Sequence, residues 1–419
     1  MWEKLLDQVA SSIIRFGTLE VVLPSGRRAR YGDGTGGPVR IRLVDTGAIV
    51  EMVKAPEMAL GELYMDERLI LEEGDLRDLL AICVANIGAG GAHWLQAPLK
   101  ALRFATRNLK MLNSLTRARS NVAHHYDLSA DLYALFLDED RQYSCAYFER
   151  PGLTLEAAQA AKKRHIAGKL LIEPGMTVLD IGCGWGGMGL TLARDYGARV
   201  VGVTLSEEQL KIARARAEAE GLSDRVDFRL TDYRALTETF DRVVSVGMFE
   251  HVGVPHYREY FDHVHDLLHP DGVALIHTIG RTSPPGITSP WVEKYIFPGG
   301  YIPSLSEMMA PIETARLYTT DVEIWRLHYA ETLRHWYDRF TARADEARRL
   351  YDDRFVRMWS FYLAAAEMTF RHNWQCVFQV QLAHDQEAVP LTRDYLYRDA
   401  ARGSQADART EDGHRHAAE

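Results

Sequence analysis

Two titratable side chains in the middle of this chain stand where short apolar runs end, and that placement sets the chemistry to look for. Arg242–Val246 leads into Gly247-Met248-Phe249-Glu250-His251, and Val273–His277 leads into Thr278-Ile279-Gly280. If both runs are strands of a parallel sheet, their carboxyl ends share the edge at which such sheets bind ligands. A carboxylate there stabilises developing positive charge or positions a base, and a histidine adds a group that titrates near neutrality. Each residue also has a plainer reading. Glu250 can cap the helix expected near Val254-Pro255, and a lone strand-end histidine is more often structural. It is the pairing on adjacent strand ends that favours chemistry.

The segment Thr177–Gly187, TVLDIGCGWGG, indicates what the pair would act on. Val178, Leu179 and Ile181 make a short buried strand. Gly182, Gly184, Gly186 and Gly187 let the backbone turn tightly and approach a ligand closely. The helical pattern of Leu190–Arg194 then points a helix N-terminus at the same place. A nicotinamide site prefers G-x-G-x-x-G and an acidic residue closing the second strand about 20 residues on. Here the spacing is G-x-G-x-G-G, the second strand Arg199–Val203 ends in Thr204-Leu205-Ser206, and the third ends in Leu230-Thr231-Asp232-Tyr233. This succession resembles the S-adenosylmethionine methyltransferases, with Asp232 and Tyr233 beside the adenine. The sulfonium methyl group would then face Glu250.

These residues need a sheet to hold them. Thr177–Ile181, Arg199–Val203, Val226–Leu230, Arg242–Val246 and Val273–His277 alternate with helical stretches, which predicts an α/β, doubly wound, Rossmann-like class I methyltransferase sheet. Upstream, Leu19–Val22, Val39–Val44 and Ile49–Met52 have strand composition, and residues 55–112 look mainly helical, giving a smaller α+β N-terminal domain. The expected domains are 1–115, 116–400 and a polar, disordered tail at 401–419. Residues from Arg119 to the glycine-loop strand are aromatic-rich and read as helical. The stretch Gly280–Ser306, with Trp291, Tyr295, Phe297 and Tyr301, is too long for a simple connector and is expected to cover an apolar substrate. Leu333–Gln381 reads as helices.

Composition narrows the class. The 419 residues carry a net charge of −9, which argues against wholesale nucleic-acid binding. Four cysteines, Cys83, Cys145, Cys183 and Cys376, show neither pairing nor metal spacing and suit a reducing cytoplasm. No run reaches the roughly 20 apolar residues of a spanning helix, so membrane contact is expected to be peripheral, on the inner face. Leu99–Asn113 places Lys100, Arg103, Arg107 and Lys110 three or four residues apart, suiting either an anionic lipid surface or a solvated connector.

Further motifs carry a resemblance that spacing cannot supply. YSCAYFER (Tyr143–Arg150), LDIGCGWGG (Leu179–Gly187), VTLSEEQ (Val203–Gln209), FEHVG (Phe249–Gly253), HTIG (His277–Gly280) and IFPGGYIPS (Ile296–Ser304), with GELYMDERL (Gly61–Leu69) before them, resemble the cyclopropane-fatty-acyl-phospholipid synthase family. The resemblance covers nearly the whole chain. It implies transfer of the S-adenosylmethionine methyl to a cis double bond of an unsaturated acyl chain in a membrane phospholipid. Proton loss from the resulting cation to a bound bicarbonate would then close the ring. The implied bicarbonate holders are Cys145, Glu250, His277, the backbone at Ile279, and Tyr329, with Tyr126 lining the pocket. The implied cofactor residues are Tyr143, Ser144, Gly182, Gly184, Thr204, Leu205, Gln209, Asp232 and Tyr233. No metal is implied, and a homodimer is.

One stretch departs from the family pattern. Many members carry a cysteine just before an Ala-Glu-Met or Ala-Gly-Met step, where this chain has Leu363-Ala364-Ala365-Ala366-Glu367-Met368. A lipid C-methyltransferase that leaves a methyl- or methylene-branched chain therefore stays open, as do a small-molecule methyltransferase and a catalytically silent lipid binder.

Overall fold

The structure, a computed structural model, describes residues 1–91, 96–111 and 129–396. Tyr126, the expected boundary near residue 115 and the tail at 401–419 lie outside the described residues.

Strands β1 (Leu19–Val22), β2 (Arg28–Tyr31), β3 (Val39–Leu43) and β4 (Leu69–Glu73) form a small sheet in the order β2-β1-β3-β4. Along β1 and β3 the apolar residues Leu19, Val21, Val39, Ile41 and Leu43 alternate with Glu20, Arg40 and Arg42, so one face is buried and the other wet. Ile49–Met52 is not a strand. It lies in the helix Thr46–Lys54, started by Asp45, whose side chain accepts from the Ala48 amide, and the helix buries Ala48, Ile49 and Val53 on one stripe. Its strand-like composition yields to the cap and to packing.

The second sheet has seven strands, in the order β10-β11-β9-β8-β5-β6-β7. β5 (Thr177–Ile181), β6 (Arg199–Thr204), β7 (Val226–Leu230), β8 (Phe240–Val246) and β9 (Leu268–Arg281) are parallel. β11 (Gln375–Ala383) pairs antiparallel with β9, and β10 (Tyr318–Trp325) antiparallel with β11. β5 is central and buried from Val178 to Ile181, as a strand covered on both faces must be.

The two antiparallel strands are where the sequence reading falls short. β11 falls in the region read as helical, because the helix Asp353–His372 runs almost directly into it. The turn is made by Trp374 at φ 60°, with no glycine or proline to mark it. β11 also buries two glutamines, Gln379 and Gln381, which disguise its apolar character. Between Asp138 and Phe148 the chain is not helical but irregular, and helices occupy Ala130–Ala134 and Leu155–Lys169.

The stretch after β9 is packed against the protein. Trp291 and Tyr301 are buried, and a Cβ on Gly61 would sit 2.3 Å from Trp291 Nε1, so only glycine lets the indole settle there. The helix Asp353–His372 lies against Pro56–Met65 and Leu76–Gly88. Arg77 and Arg371 both reach the fully buried Glu367, at 3.1 and 2.7 Å. In the helix Ala97–Lys110 the two arginines turn inward and Lys100 is paired at the surface. Lys100 pairs with Glu57, Arg103 reaches the Thr288 carbonyl (2.8 Å), and Arg107 binds Glu307 (2.8 Å) and the Tyr301 hydroxyl (2.9 Å). Leu99, Leu102 and Phe104 face outward instead.

Candidate active site

The carboxyl ends of β5–β8 open onto one pocket, and all nine residues expected to hold the cofactor line it: Tyr143, Ser144, Gly182, Gly184, Thr204, Leu205, Gln209, Asp232 and Tyr233. The loop after β5 is pinned by the Gly182 and Cys183 amides, both donating to the Val203 carbonyl at 3.0 Å. Gly182 (φ 80°) packs so close to Met248 that a Cβ would approach it to 2.9 Å. A Cβ on Gly184 (φ 54°) would meet no protein atom, only the space a ligand would fill. Gly186, also left-handed, starts the helix Gly187–Tyr196, whose N-terminus faces the pocket.

Around this loop the polar side chains are held. Thr204 Oγ1 donates to Gln209 Oε1 (2.9 Å). Asp232 is buried, which opposes its charge, but Arg234 grips it through Nε and Nη2 at 2.8 Å and holds the carboxyl below its usual range. Tyr143 stacks on Trp336 (5.2 Å), and its hydroxyl meets that of Tyr362 at 3.0 Å.

Four further lining residues escaped the sequence reading. Asp180 on β5 is buried, its Oδ2 has no hydrogen-bond partner, and burial raises its pKa to about 7. A ligand ammonium would satisfy that oxygen. His251 is held neutral by burial, its pKa pushed down to about 4. Trp185 and Gln142 complete the wall. Asp180 was readable as the polar residue inside an otherwise apolar strand. The others carry no such mark.

Glu250, His277, Ile279, Cys145 and Tyr329 do not line the open pocket; Glu250, His277, Cys145 and Tyr329 are buried and Ile279 is half-buried. Glu250 Oε1 accepts from the Ile279 amide at 2.6 Å, joining the ends of β8 and β9. Its other oxygen, Oε2, is buried without a hydrogen-bond partner, and burial raises the carboxyl pKa to about 7. Glu250 caps nothing, so the plainer reading falls. On β9, His277 stands two residues before Ile279. Gln379 Nε2 donates to its Nδ1 at 3.0 Å, leaving the ring proton on Nε2, and burial keeps the ring neutral. Cys145 is fully buried, which pushes its thiol far above the usual range. The next amide, Ala146, donates to Thr332 Oγ1 (3.0 Å), one turn along the helix His328–Ala342 from Tyr329.

An S-adenosylmethionine fits this architecture. The glycine cradle is empty of side chains, Asp232 and Tyr233 stand at the far strand, and the unpartnered Asp180 oxygen waits at the other end. A small anion that also carries a hydroxyl, such as bicarbonate, fits in part. Glu250 Oε2 needs a donor and His277 Nε2 offers one, whereas the Ile279 amide is already taken by Glu250.

Fold and pocket together define a class I S-adenosylmethionine-dependent methyltransferase. The fold alone is shared with coclaurine N-methyltransferase bound to N-methylheliamine and SAH (TM-score 0.63, 21% identity, 80% of this chain and 99% of that one). The profile of the mycolic acid cyclopropane synthetase family matches residues 113–380, and the chain belongs to that family. Residues 1–89 match a domain family of unknown function. The cyclopropane-fatty-acyl-phospholipid synthase of Escherichia coli K12 is 41% identical over 346 residues, 81% of this chain and 88% of the relative. A probable fatty acid methyltransferase of Pseudomonas putida is 41% identical over 85% of this chain and 91% of its own length. Among solved structures, the cyclopropane synthase MmaA2 from Mycobacterium tuberculosis matches with TM-score 0.61 and 33% identity, over 65% of this chain and 99% of that one. The mycolic acid cyclopropane synthase CmaA1, solved with SAH and CTAB, matches with TM-score 0.60 and 35% identity, over 63% of this chain and 97% of that one.

Proposed function

We propose that this protein converts a cis double bond of an unsaturated acyl chain in a membrane phospholipid into a cyclopropane. The observation that carries the reading is the buried, unpartnered Glu250 Oε2, in the same segment as Gly247, Met248 and His251, which line a pocket suited to a sulfonium methyl donor. The C–S bond of the donor breaks with its electron pair left on sulfur. The π pair of the alkene forms the new C–CH3 bond and leaves a cation on the neighbouring carbon. A C–H bond of the transferred methyl then gives its pair to close the ring, and its proton leaves.

The chain's own residues serve each part of this. The glycine loop and Asp232 hold the donor. The ionised Glu250, oriented through Oε1 by the Ile279 amide, offsets the cation. His277, neutral, donates from Nε2 toward the proton acceptor and stays uncharged beside the cation. Bicarbonate bound by Glu250 Oε2 and His277, with Cys145 and Tyr329 closing the wall, would supply a weak base near neutrality. Tyr329 sits edge-on to Trp336, and the surrounding rings exclude the water that would otherwise quench a cation.

A second reading is favoured by the Pseudomonas putida relative, described as a probable fatty acid methyltransferase: the same cation losing a different proton. One experiment separates the two. Incubated with S-adenosylmethionine and monounsaturated phospholipid vesicles, the protein should add one CH2 with upfield cyclopropyl proton signals. The same mass with vinyl protons would select the branching reaction, and no gain would reject both.

Lipid contact is assigned to the outward face of the helix Ala97–Lys110. No described helix is long and apolar enough to cross a membrane. Because three of the helix's cations are engaged by groups of the protein itself, Leu102→Asp should cut vesicle binding several-fold, even in 0.5 M salt, where exposed charges are screened to about 4 Å. Binding that vanished in salt and ignored Leu102 would reverse the assignment.

A further inference from the structure

One buried cation next to the pocket makes its hydrogen bonds to neutral groups alone. Lys162, on the helix Leu155–Lys169, is fully buried, and its Nζ donates to Gln142 Oε1 and Ser144 Oγ, both at 2.7 Å. Among the described residues no ion pair reaches it, whereas its neighbour Lys163 is paired with Asp140 (2.5 Å). A buried charge without a counter-ion is costly unless something completes it.

The helix is built to present this amine to the pocket wall. Three residues earlier Gln159 Nε2 donates to the carbonyls of Gln142 (3.2 Å) and Ser144 (2.9 Å), so backbone and side chains of that strip are gripped together. Ser144 Oγ, accepting from an ammonium, must aim its own proton elsewhere, and the pocket is where the residue opens. Gln142, accepting through Oε1, turns its Nε2 to Asp140 (2.9 Å), over the N-terminus of the helix Gly187–Tyr196. The packing there is tight, since a Cβ on Gly187 would lie 2.3 Å from that nitrogen. Asp232 and Tyr233 mark the opposite, adenine end beyond β6, so the amino-acid end of the methyl donor falls at Gln142–Ser144.

We propose that Lys162 is a positioning residue for the amino-acid end of S-adenosylmethionine: through Ser144 and Gln142 it sets the donors that meet the cofactor carboxylate, which is the counter-ion the buried amine lacks. The inference rests on the methyltransferase reading of the pocket. Asp138, Asp140, Cys145, Asp180, His277 and Lys163 are the titratable groups that face the amine. Burial pulls its pKa down to about 8, with Asp138 opposing. Below that pH the amine is charged and the carboxylate is held. Above it the hold weakens.

The test compares two ligands by calorimetry on the full chain: S-adenosylhomocysteine, and 5′-methylthioadenosine, which lacks the amino-acid end. In Lys162→Met the dissociation constant for S-adenosylhomocysteine should rise about 10-fold or more, with 5′-methylthioadenosine bound as in the wild type. Wild-type affinity for S-adenosylhomocysteine should fall above about pH 8, a fall the variant lacks. If Lys162→Met does not fold, Ser144→Ala reports the same split between the ligands. Loss of both ligands together would make Lys162 merely structural, and unchanged S-adenosylhomocysteine binding would overturn the proposal. A wild type that binds neither ligand would remove the cofactor reading and the proposal with it.

Discussion

Around the glycine loop most polar side chains that face the pocket are held by protein neighbours, Asp232 by Arg234, Thr204 by Gln209 and Ser144 by Lys162, with Asp180 Oδ2 the exception, left for a ligand ammonium. At the ends of β8 and β9, Glu250 Oε2 is buried without a hydrogen-bond partner, in surroundings that push the carboxyl up to about 7. The first region is preorganised to bind a ligand and release it. The second stores an unfavourable charge that only a developing cation, or a donor bound beside it, relieves. That is the arrangement expected of groups that stabilise a transition state more than a ground state.

The largest test of this contrast is Glu250→Gln. The amide keeps the shape, and its oxygen can still accept from Ile279, but it carries no charge, so turnover should drop about 10²–10³-fold. S-adenosylhomocysteine affinity should stay within about twofold, as the residue does not line the pocket. Equal loss of both quantities would erase the boundary between the two regions. Gly184→Val is the converse. Its side chain would enter open pocket space from a left-handed backbone position, so cofactor affinity should fall about tenfold or more, ~1.4 kcal/mol or above. At saturating cofactor, kcat should change much less.

Smaller still is the pH response. Glu250 must be ionised to act, so kcat/KM should fall about tenfold per unit below pH 7. His277 should add no limb of its own in this range, because burial keeps it neutral well below 6.5. A rate flat from pH 5.5 to 8 would show that Glu250 is charged throughout and that its environment is less apolar than its packing indicates.

The two regions also differed in how far the sequence disclosed them. The pocket was readable because a parallel sheet sends its strand ends to one edge, so locating five strands located Gly182, Thr204, Asp232 and Glu250 together. Cys145, Ile279 and Tyr329 were named only through family resemblance, since nothing in their local pattern marks them. The support behind His277 was invisible. Gln379 comes from β11, a strand hidden by the Trp374 turn and by its own buried glutamines. Lys162 was hidden differently. In AQAAKKRHIAGK a lysine reads as a solvated helix face, and only the tertiary fold puts it at zero exposure.

The smallest expected effect tests the stored charge directly. The Glu250 pKa is raised from an ordinary 4.5 to about 7, so between those values the folded state binds more protons than the unfolded one. Stability from this group therefore declines as pH rises from 4.5 to 7, and the full penalty is present above 7. Replacing the carboxylate by the neutral amide removes a penalty of about 3 kcal/mol at most. In a chain of this length that raises Tm by only about 2 °C, because the unfolding entropy grows with the number of residues. Glu250→Gln should thus be inactive yet slightly more stable at pH 8, and indistinguishable from wild type at pH 4.5, in parallel thermal melts. A variant destabilised at both pH values would mean that the carboxylate is a structural tie between β8 and β9 and carries no stored strain.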